Sequence, residues 1–210
     1  KEIMKQKANI TPICIKRTND YHSFELENNI VSASSIRQAL KNNNIVKHQV
    51  PDLTYKYLQN DLAFYDDYFP YIKYKILSDI NNLYKYQTVD EGIENKIKKY
   101  IVSSTSLEEL INNIKSKRYT RNKIQRMLTH ILVNFTKEEA NDNKNIKYIK
   151  VLGFNHLGQQ YLNKIKKQID IPLITKYSKN NHNLLQLKLR STAIYSGVLN
   201  EQYKKKLIER

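Results

Sequence analysis

Two short stretches near the beginning of the chain carry residue types that suit a phosphate group. Lys16-Arg17 ends a run of β-branched and apolar residues, and Ser32, Ser35 and Arg37 lie at the predicted start of a helix. A helix N-terminus offers unpaired N–H groups and partial positive charge, and hydroxyl and guanidinium groups there can donate to phosphate oxygens. In open α/β sheets, ligands bind beyond the carboxyl ends of strands. The pattern favours a phosphate site, with a plain helix cap at Ser35 and a solvated Arg37 as the structural alternative.

A second cluster has the composition of a nucleic-acid contact. Between positions 115 and 126 there are six Lys and Arg residues and no Asp or Glu. On a helix, Lys123, Arg126 and His130 would fall opposite an apolar stripe and be free to meet phosphates. The alternative is an ordinary solvated helix face. We expect RNA contact here, through the residues Lys117, Arg118, Arg121, Lys123 and Arg126.

Other residues that often carry chemistry show no useful pattern. The histidines at 22, 48, 130, 156 and 182 are never paired at metal-ligand spacing, so no metal site is predicted. Cys14 lies inside the apolar run and is expected to be a buried small hydrophobe. Asp66 and Asp67 are adjacent and would diverge on a helix, so they are given no role.

Elements that would position the first stretch can be read from local patterns. The run from Thr11 to Arg17 predicts a strand, and the serine-rich stretch predicts a helix, with Ser35 and Gln38 at capping-box spacing. Strand, loop and serine-initiated helix are the parts of an α/β nucleotide-binding unit.

The rest of the chain has mainly helical periodicity. A helical pattern begins near Pro51 and must break or kink at Pro70. Further helices are predicted at 91–102, 106–116, 115–135 and 187–199. Between the last two, a strand at 148–154, a helix at 158–168 and a strand at 171–175 form a βαβ pattern.

Composition limits the class of protein. The formal net charge is +16 over 210 residues, which favours a polyanionic partner, although abundant Lys, Asn, Ile and Tyr would also follow from an AT-rich coding bias. No apolar run reaches the roughly 18 to 20 residues of a membrane span, and the single cysteine fits a reducing compartment. We expect a cytoplasmic protein.

Several motifs resemble one enzyme family. Ser32-Ala-Ser-Ser-Ile-Arg37 is similar to the second signature, Ile-Ser-Ser/Ala-Thr-x-Ile-Arg, of the nucleotidyltransferase superfamily that carries an HxGH motif. Four further stretches narrow the resemblance to the tRNA(Met) cytidine acetate ligase family: residues 13–17, 69–77, 117–132 and 151–155.

The resemblance implies an enzyme that activates acetate with ATP, accompanied by Mg²⁺, and acetylates the wobble cytidine of elongator tRNA(Met). Arg17 matches the family's ATP-binding arginine, with Lys16 beside it, and Ser32, Ser35 and Arg37 match the phosphate signature. Residues 1–45 would be the last strand and helix of a Rossmann-like nucleotidyltransferase unit. Residues 46–210 would form a mainly helical tRNA-binding domain with a βαβ element near 147–176.

One departure from the family concerns catalysis. No histidine here is followed by x-Gly-His, so the HxGH groups would belong to an N-terminal region of the same protein. The chain is therefore assigned no catalytic residues and is expected to be inactive alone. The rival interpretations are a non-catalytic basic RNA-binding module and a helical scaffold whose charge reflects codon usage.

Overall fold

The computed structural model describes residues 2–16, 31–175 and 182–199. The chain forms two compact units, residues 1–60 and residues 61–210. The part predicted to end a nucleotidyltransferase domain, residues 1–45, lies wholly within the first unit.

The first unit contains three α-helices among its described residues: α1 (Glu2–Lys5), α2 (Ala33–Lys41) and α3 (Asp52–Leu58), with a short 3-10 helix at Lys47–Gln49. The strand predicted from Thr11 is not formed over residues 11–16, and Arg17 lies outside the described residues. Ile13 and Ile15 are 83% and 90% exposed, and Cys14 is exposed instead of buried. A strand needs a neighbouring strand for its hydrogen bonds, and no described segment pairs with this one.

Helix α2 begins earlier than its capping pattern predicts. The cap is Ser32, whose extended backbone lets its Oγ accept from the Ser35 N–H at 3.0 Å. Ser35 is therefore the third helical residue, and Gln38 bonds to Asn42 at 3.5 Å instead of closing a capping box. The helix was predicted correctly, but its capping residue was not.

The second unit is built from α4 (Phe69–Ser78), α5 (Ile93–Ile101), α6 (Leu107–Ile114), α7 (Arg121–Leu132) and α8 (Lys137–Asp142), with 3-10 helices at Tyr65–Tyr68 and Ile80–Lys85. The helical pattern from Pro51 is interrupted at residues 59–64, before Pro70. Pro70 itself lies in the first turn of α4, where its missing N–H costs nothing. Apolar faces of these helices form one core, whose fully buried members include Ile72, Ile76, Ile97, Leu110, Ile124, Met127, Leu128 and Ile131.

Helix α7 is shorter than the predicted segment 115–135. It begins after Thr120, and the preceding residues form a turn in which the Ser116 N–H donates to the Tyr119 carbonyl oxygen at 3.1 Å. Tyr119 is buried, and its hydroxyl donates to the Asp90 carbonyl oxygen at 2.6 Å. Because this ring is anchored, the residues of the basic segment that precede Arg121 stay outside helix α7.

The βαβ prediction is confirmed, with shorter strands. β1 (Ile149–Lys150) and β2 (Leu173–Ile174) pair in parallel, Ile149 with Leu173, and α9 (His156–Ile165) connects them. The last described helix, α10 (Asn183–Ser196), is capped by Gly197; it begins four residues before the predicted span 187–199 and ends three residues before the end of that span. Overall, the described residues are mainly helical, with one two-stranded parallel sheet.

Candidate phosphate and RNA-binding sites

The start of α2 holds the serines predicted to bind phosphate. Ser32 and Ser35 are 4% and 1% exposed, and their hydroxyl oxygens lie 2.8 Å apart. The hydroxyls thus fix the first turn of the helix, while Ser34 and Arg37 on the same turns are exposed. What this end offers to solvent is a guanidinium group next to a capped helix N-terminus, a combination that attracts anions.

The two other predicted phosphate residues belong to the segment before α2. Lys16 is exposed. Arg17 lies outside the described residues, so a clamp formed by Arg17 and Arg37 around one triphosphate remains a prediction.

Two acidic residues from elsewhere in the second unit pair with arginines of the basic segment. Arg118 forms an ion pair with Glu91, and Arg121 donates to both carboxylate oxygens of Glu108, with Nη1 2.6 Å from Oε1. Hydrogen bonding from Arg121 lowers the pKa of Glu108, and the same bonds raise the pKa of Arg121. Two of the five predicted RNA contacts are therefore neutralised within the protein.

The other three predicted RNA contacts have no carboxylate partner among the described residues. Lys123 lies over the ring of Tyr119, with its Nζ 4.6 Å from the ring centroid. Lys117 and Arg126 are exposed. Because these groups can meet phosphates without giving up an internal ion pair, they form the accessible part of the predicted RNA surface.

His130 is not free to meet phosphates, as its helical position had suggested. Its Nδ1 lies 3.0 Å from the Gln87 carbonyl oxygen and 3.1 Å from Thr88 Oγ1, and its ring packs edge-on against Phe135. Burial lowers its pKa, which favours the neutral ring. Angular position on α7 could not reveal this, because the 87–89 loop that covers His130 is distant in sequence.

Sequence reasoning also missed Glu91 and Glu108 as partners of the basic segment. Glu108 lies in the first turn of α6, where its charge also complements the helix dipole. Its bond to Arg121 depends on how α6 packs against α7, and no local signal records that packing.

No group of three or more His, Cys, Asp or Glu side chains is arranged to hold a metal ion in the described ranges. No helix in that part of the chain is long and apolar enough to cross a membrane.

Comparison with curated proteins gives many relatives. The tRNA(Met) cytidine acetate ligase of Anoxybacillus flavithermus is 35% identical over 216 residues, which cover 96% of this chain and 54% of that protein. The protein of the same name from Clostridium acetobutylicum is 37% identical over 223 residues, covering 99% of this chain and 55% of that protein. The chain thus spans about half the length of the curated relatives it matches.

Solved structures share the fold. The apo crystal structure of Thermotoga maritima TmcAL matches 97% of this chain and 54% of its own, with a TM-score of 0.80 and 20% identity. TmcAL bound with alpha-thio ATP matches 99% of this chain and 55% of its own, with a TM-score of 0.76 and 19% identity. The family described as HIGH nucleotidyl transferase matches residues 1–210, and the chain therefore belongs to that family.

Proposed function

We propose that this chain is part of an ATP-dependent ligase that acetylates the wobble cytidine of elongator tRNA(Met). The observation that carries the proposal is the match over nearly the whole chain, at 35% and 37% identity, to proteins named tRNA(Met) cytidine acetate ligase. The family match over residues 1–210 supports nucleotide chemistry of the same class. In this reaction an acetate oxygen attacks the α-phosphorus of ATP and pyrophosphate leaves. The cytidine exocyclic amine then attacks the acetyl carbonyl and AMP leaves.

The first unit would hold the phosphates of ATP. Arg37 is exposed on the capped start of α2, where helix dipole and guanidinium charge favour the same anion. Lys16 and Arg17 would approach the phosphates from the preceding segment, while Ser32 and Ser35 keep the helix start in shape. A related fold is known with alpha-thio ATP bound. Mg²⁺ would accompany the nucleotide on its phosphate oxygens.

The second unit would hold the RNA backbone. Lys117, Lys123 and Arg126 would contribute the main phosphate contacts, because their charges are not offset by a carboxylate in the described structure. Arg118 and Arg121 could join them only by exchanging a carboxylate for a phosphate. Each phosphate neutralised should steepen the plot of log affinity against log salt concentration by about 0.7 to 0.9.

Binding measurements on the 210-residue chain test the proposal. Fluorescence anisotropy with labelled elongator tRNA(Met) over a range of salt should give a slope of about 2 to 3 if these three cations each neutralise one phosphate. Equilibrium dialysis should detect ATP, with affinity lost in Arg37→Ala and kept in the control Lys47→Ala, which removes an exposed cation of the same unit. Binding of tRNA without ATP would instead favour a non-catalytic RNA-binding module. If the chain bound neither tRNA nor ATP, the proposal would be rejected.

A further inference from the structure

A cavity of about 520 Å³ lies in the second unit between the carboxyl half of α7 and the helix α10. Its walls are mainly aromatic and aliphatic, and they include the rings of Tyr65, Tyr68, Phe135 and Tyr195. None of its described lining residues is Lys, Arg, Asp or Glu. Its size and apolar lining fall within the range of small-ligand sites, which add a few polar groups for orientation.

Most hydroxyl groups of the cavity already donate their protons within the protein. Five hydroxyl-bearing side chains line it, and all but that of Tyr195 can donate to a backbone carbonyl oxygen at 2.7 to 2.9 Å. The four donors belong to Tyr65, Tyr68, Thr129 and Ser191. Burial raises the pKa of both Tyr65 and Tyr68 to about 12, so these phenols keep their protons at neutral pH. Only the lone pairs of the four committed oxygens are left for a ligand, whereas the Tyr195 hydroxyl can also donate to one.

His130 adds another acceptor to the same wall. The Gln87 carbonyl oxygen, 3.0 Å from Nδ1, cannot donate a hydrogen, so Nδ1 must carry the proton. Burial disfavours the charged ring, so Nε2 of the neutral tautomer keeps its lone pair. Because Nδ1 faces the 87–88 loop, Nε2 is the ring nitrogen left for a ligand.

A phosphate-binding group lies one helical turn away. Arg126 precedes His130 by four residues on α7, so the two occupy the same helix face, and the Arg126 charge acts on the imidazole. Arg126 is exposed. A nucleotide could therefore place its phosphate on Arg126 while its base enters the cavity.

We infer that this cavity binds a planar heterocycle carrying an amino group, which in the proposed function is the cytosine base of the RNA substrate. An acceptor-rich wall with His130 Nε2 satisfies the donor hydrogens of an exocyclic amine. Uracil presents a carbonyl oxygen at the same position, which would face lone pairs and lose its hydrogen bonds with water. The aromatic walls offer contact to either base, so discrimination rests on the acceptors. The inference rests on the proposed function for the identity of its ligand.

The test compares cytidine 5′-monophosphate with uridine 5′-monophosphate on the full chain by isothermal titration calorimetry. Both ligands have the same phosphate and ribose, so their difference reports on the base. The cytidine nucleotide should bind at least about tenfold more tightly, the effect of one hydrogen bond made instead of lost. His130→Phe keeps a ring but removes the acceptor, and should bring the cytidine nucleotide to the affinity of the uridine nucleotide. The matched control His156→Phe changes an exposed histidine outside the cavity and should keep the tenfold preference.

Equal affinities for the two nucleotides, or no binding of either at millimolar concentration, would overturn the inference. The comparison on the unsubstituted chain decides this even if His130→Phe fails to fold. Salt-dependent tRNA binding that persists without base discrimination would leave the proposed function standing. Base discrimination without any tRNA binding would count against the proposed function and in favour of a free-nucleotide site.

Discussion

A Glu108→Gln substitution should strengthen tRNA binding by releasing Arg121. The carboxylate of Glu108 accepts from both terminal nitrogens of Arg121, so in the free protein this guanidinium group is not available to a phosphate. The two side chains are 52% and 44% exposed, and an ion pair this open to water stabilises the protein by at most about 1 kcal/mol. The substitution should therefore leave the fold intact.

The expected gain follows from the number of phosphates neutralised. If Arg121 takes one further phosphate, the slope of log affinity against log salt should steepen by about 0.7 to 0.9. Fluorescence anisotropy with labelled tRNA at several salt concentrations measures both slope and affinity. The control Glu138→Gln removes an exposed carboxylate outside this ion pair and should leave the slope unchanged.

Two further variants compare an arginine that is ion-paired with a carboxylate, Arg121, with one that is not, Arg126. Arg126→Ala should lower the slope by about 0.7 to 0.9, whereas Arg121→Ala should change it little while Glu108 is present. The reasoning is refuted if Glu108→Gln leaves slope and affinity unchanged, or if Arg121→Ala weakens binding as much as Arg126→Ala.

Three further predictions concern stability. Hydrogen bonds from Lys85 and Tyr86 hold the pKa of Asp79 well below its usual range. The ionised Asp79 carboxylate therefore stabilises the folded protein fully above the unfolded pKa of about 3.9, and this stabilisation is lost as the pH falls through the lower folded value. Urea denaturation at several acidic pH values should show this loss in the natural chain but not in Asp79→Asn. Leu128→Ala empties a fully buried position and should lower the free energy of unfolding by about 2 to 5 kcal/mol, measured by circular dichroism in urea. Arg190→Ala should cost about 1 to 2 kcal/mol and speed proteolysis near α10, because its guanidinium group donates to carbonyl oxygens at the end of α7, whereas the exposed Lys188→Ala should not.

The helices could be predicted where the sequence carries both a periodic apolar stripe and a cap. Ser106 accepts from the Glu109 N–H at 3.1 Å at the start of α6, which is the start of the helix predicted at 106–116. The stripe of α7 is buried at Ile124, Met127 and Ile131. The βαβ element was predictable because strand, helix and strand follow one another closely, and their pairing is local.

Features that depend on distant contacts could not be predicted from local patterns. A β-branched run at residues 11–16 suits a strand, but strand formation also requires a partner. Glu108 meets Arg121 because α6 packs against α7, and Glu91 reaches Arg118 from the turn before α5. His130 was placed on the polar face of α7 by its angular position, yet its ring is half-buried and its Nδ1 is held by the Gln87 carbonyl oxygen.

A double-mutant cycle on ATP binding tests most directly whether the first unit clamps a nucleotide. Equilibrium dialysis with the natural chain, Arg17→Ala, Arg37→Ala and the double variant would give the four dissociation constants. Each single variant should weaken binding by about tenfold or more, and the two losses should not be additive if both groups hold the same phosphate chain. Affinity that is unchanged by either substitution, or strictly additive losses, would contradict a shared triphosphate site.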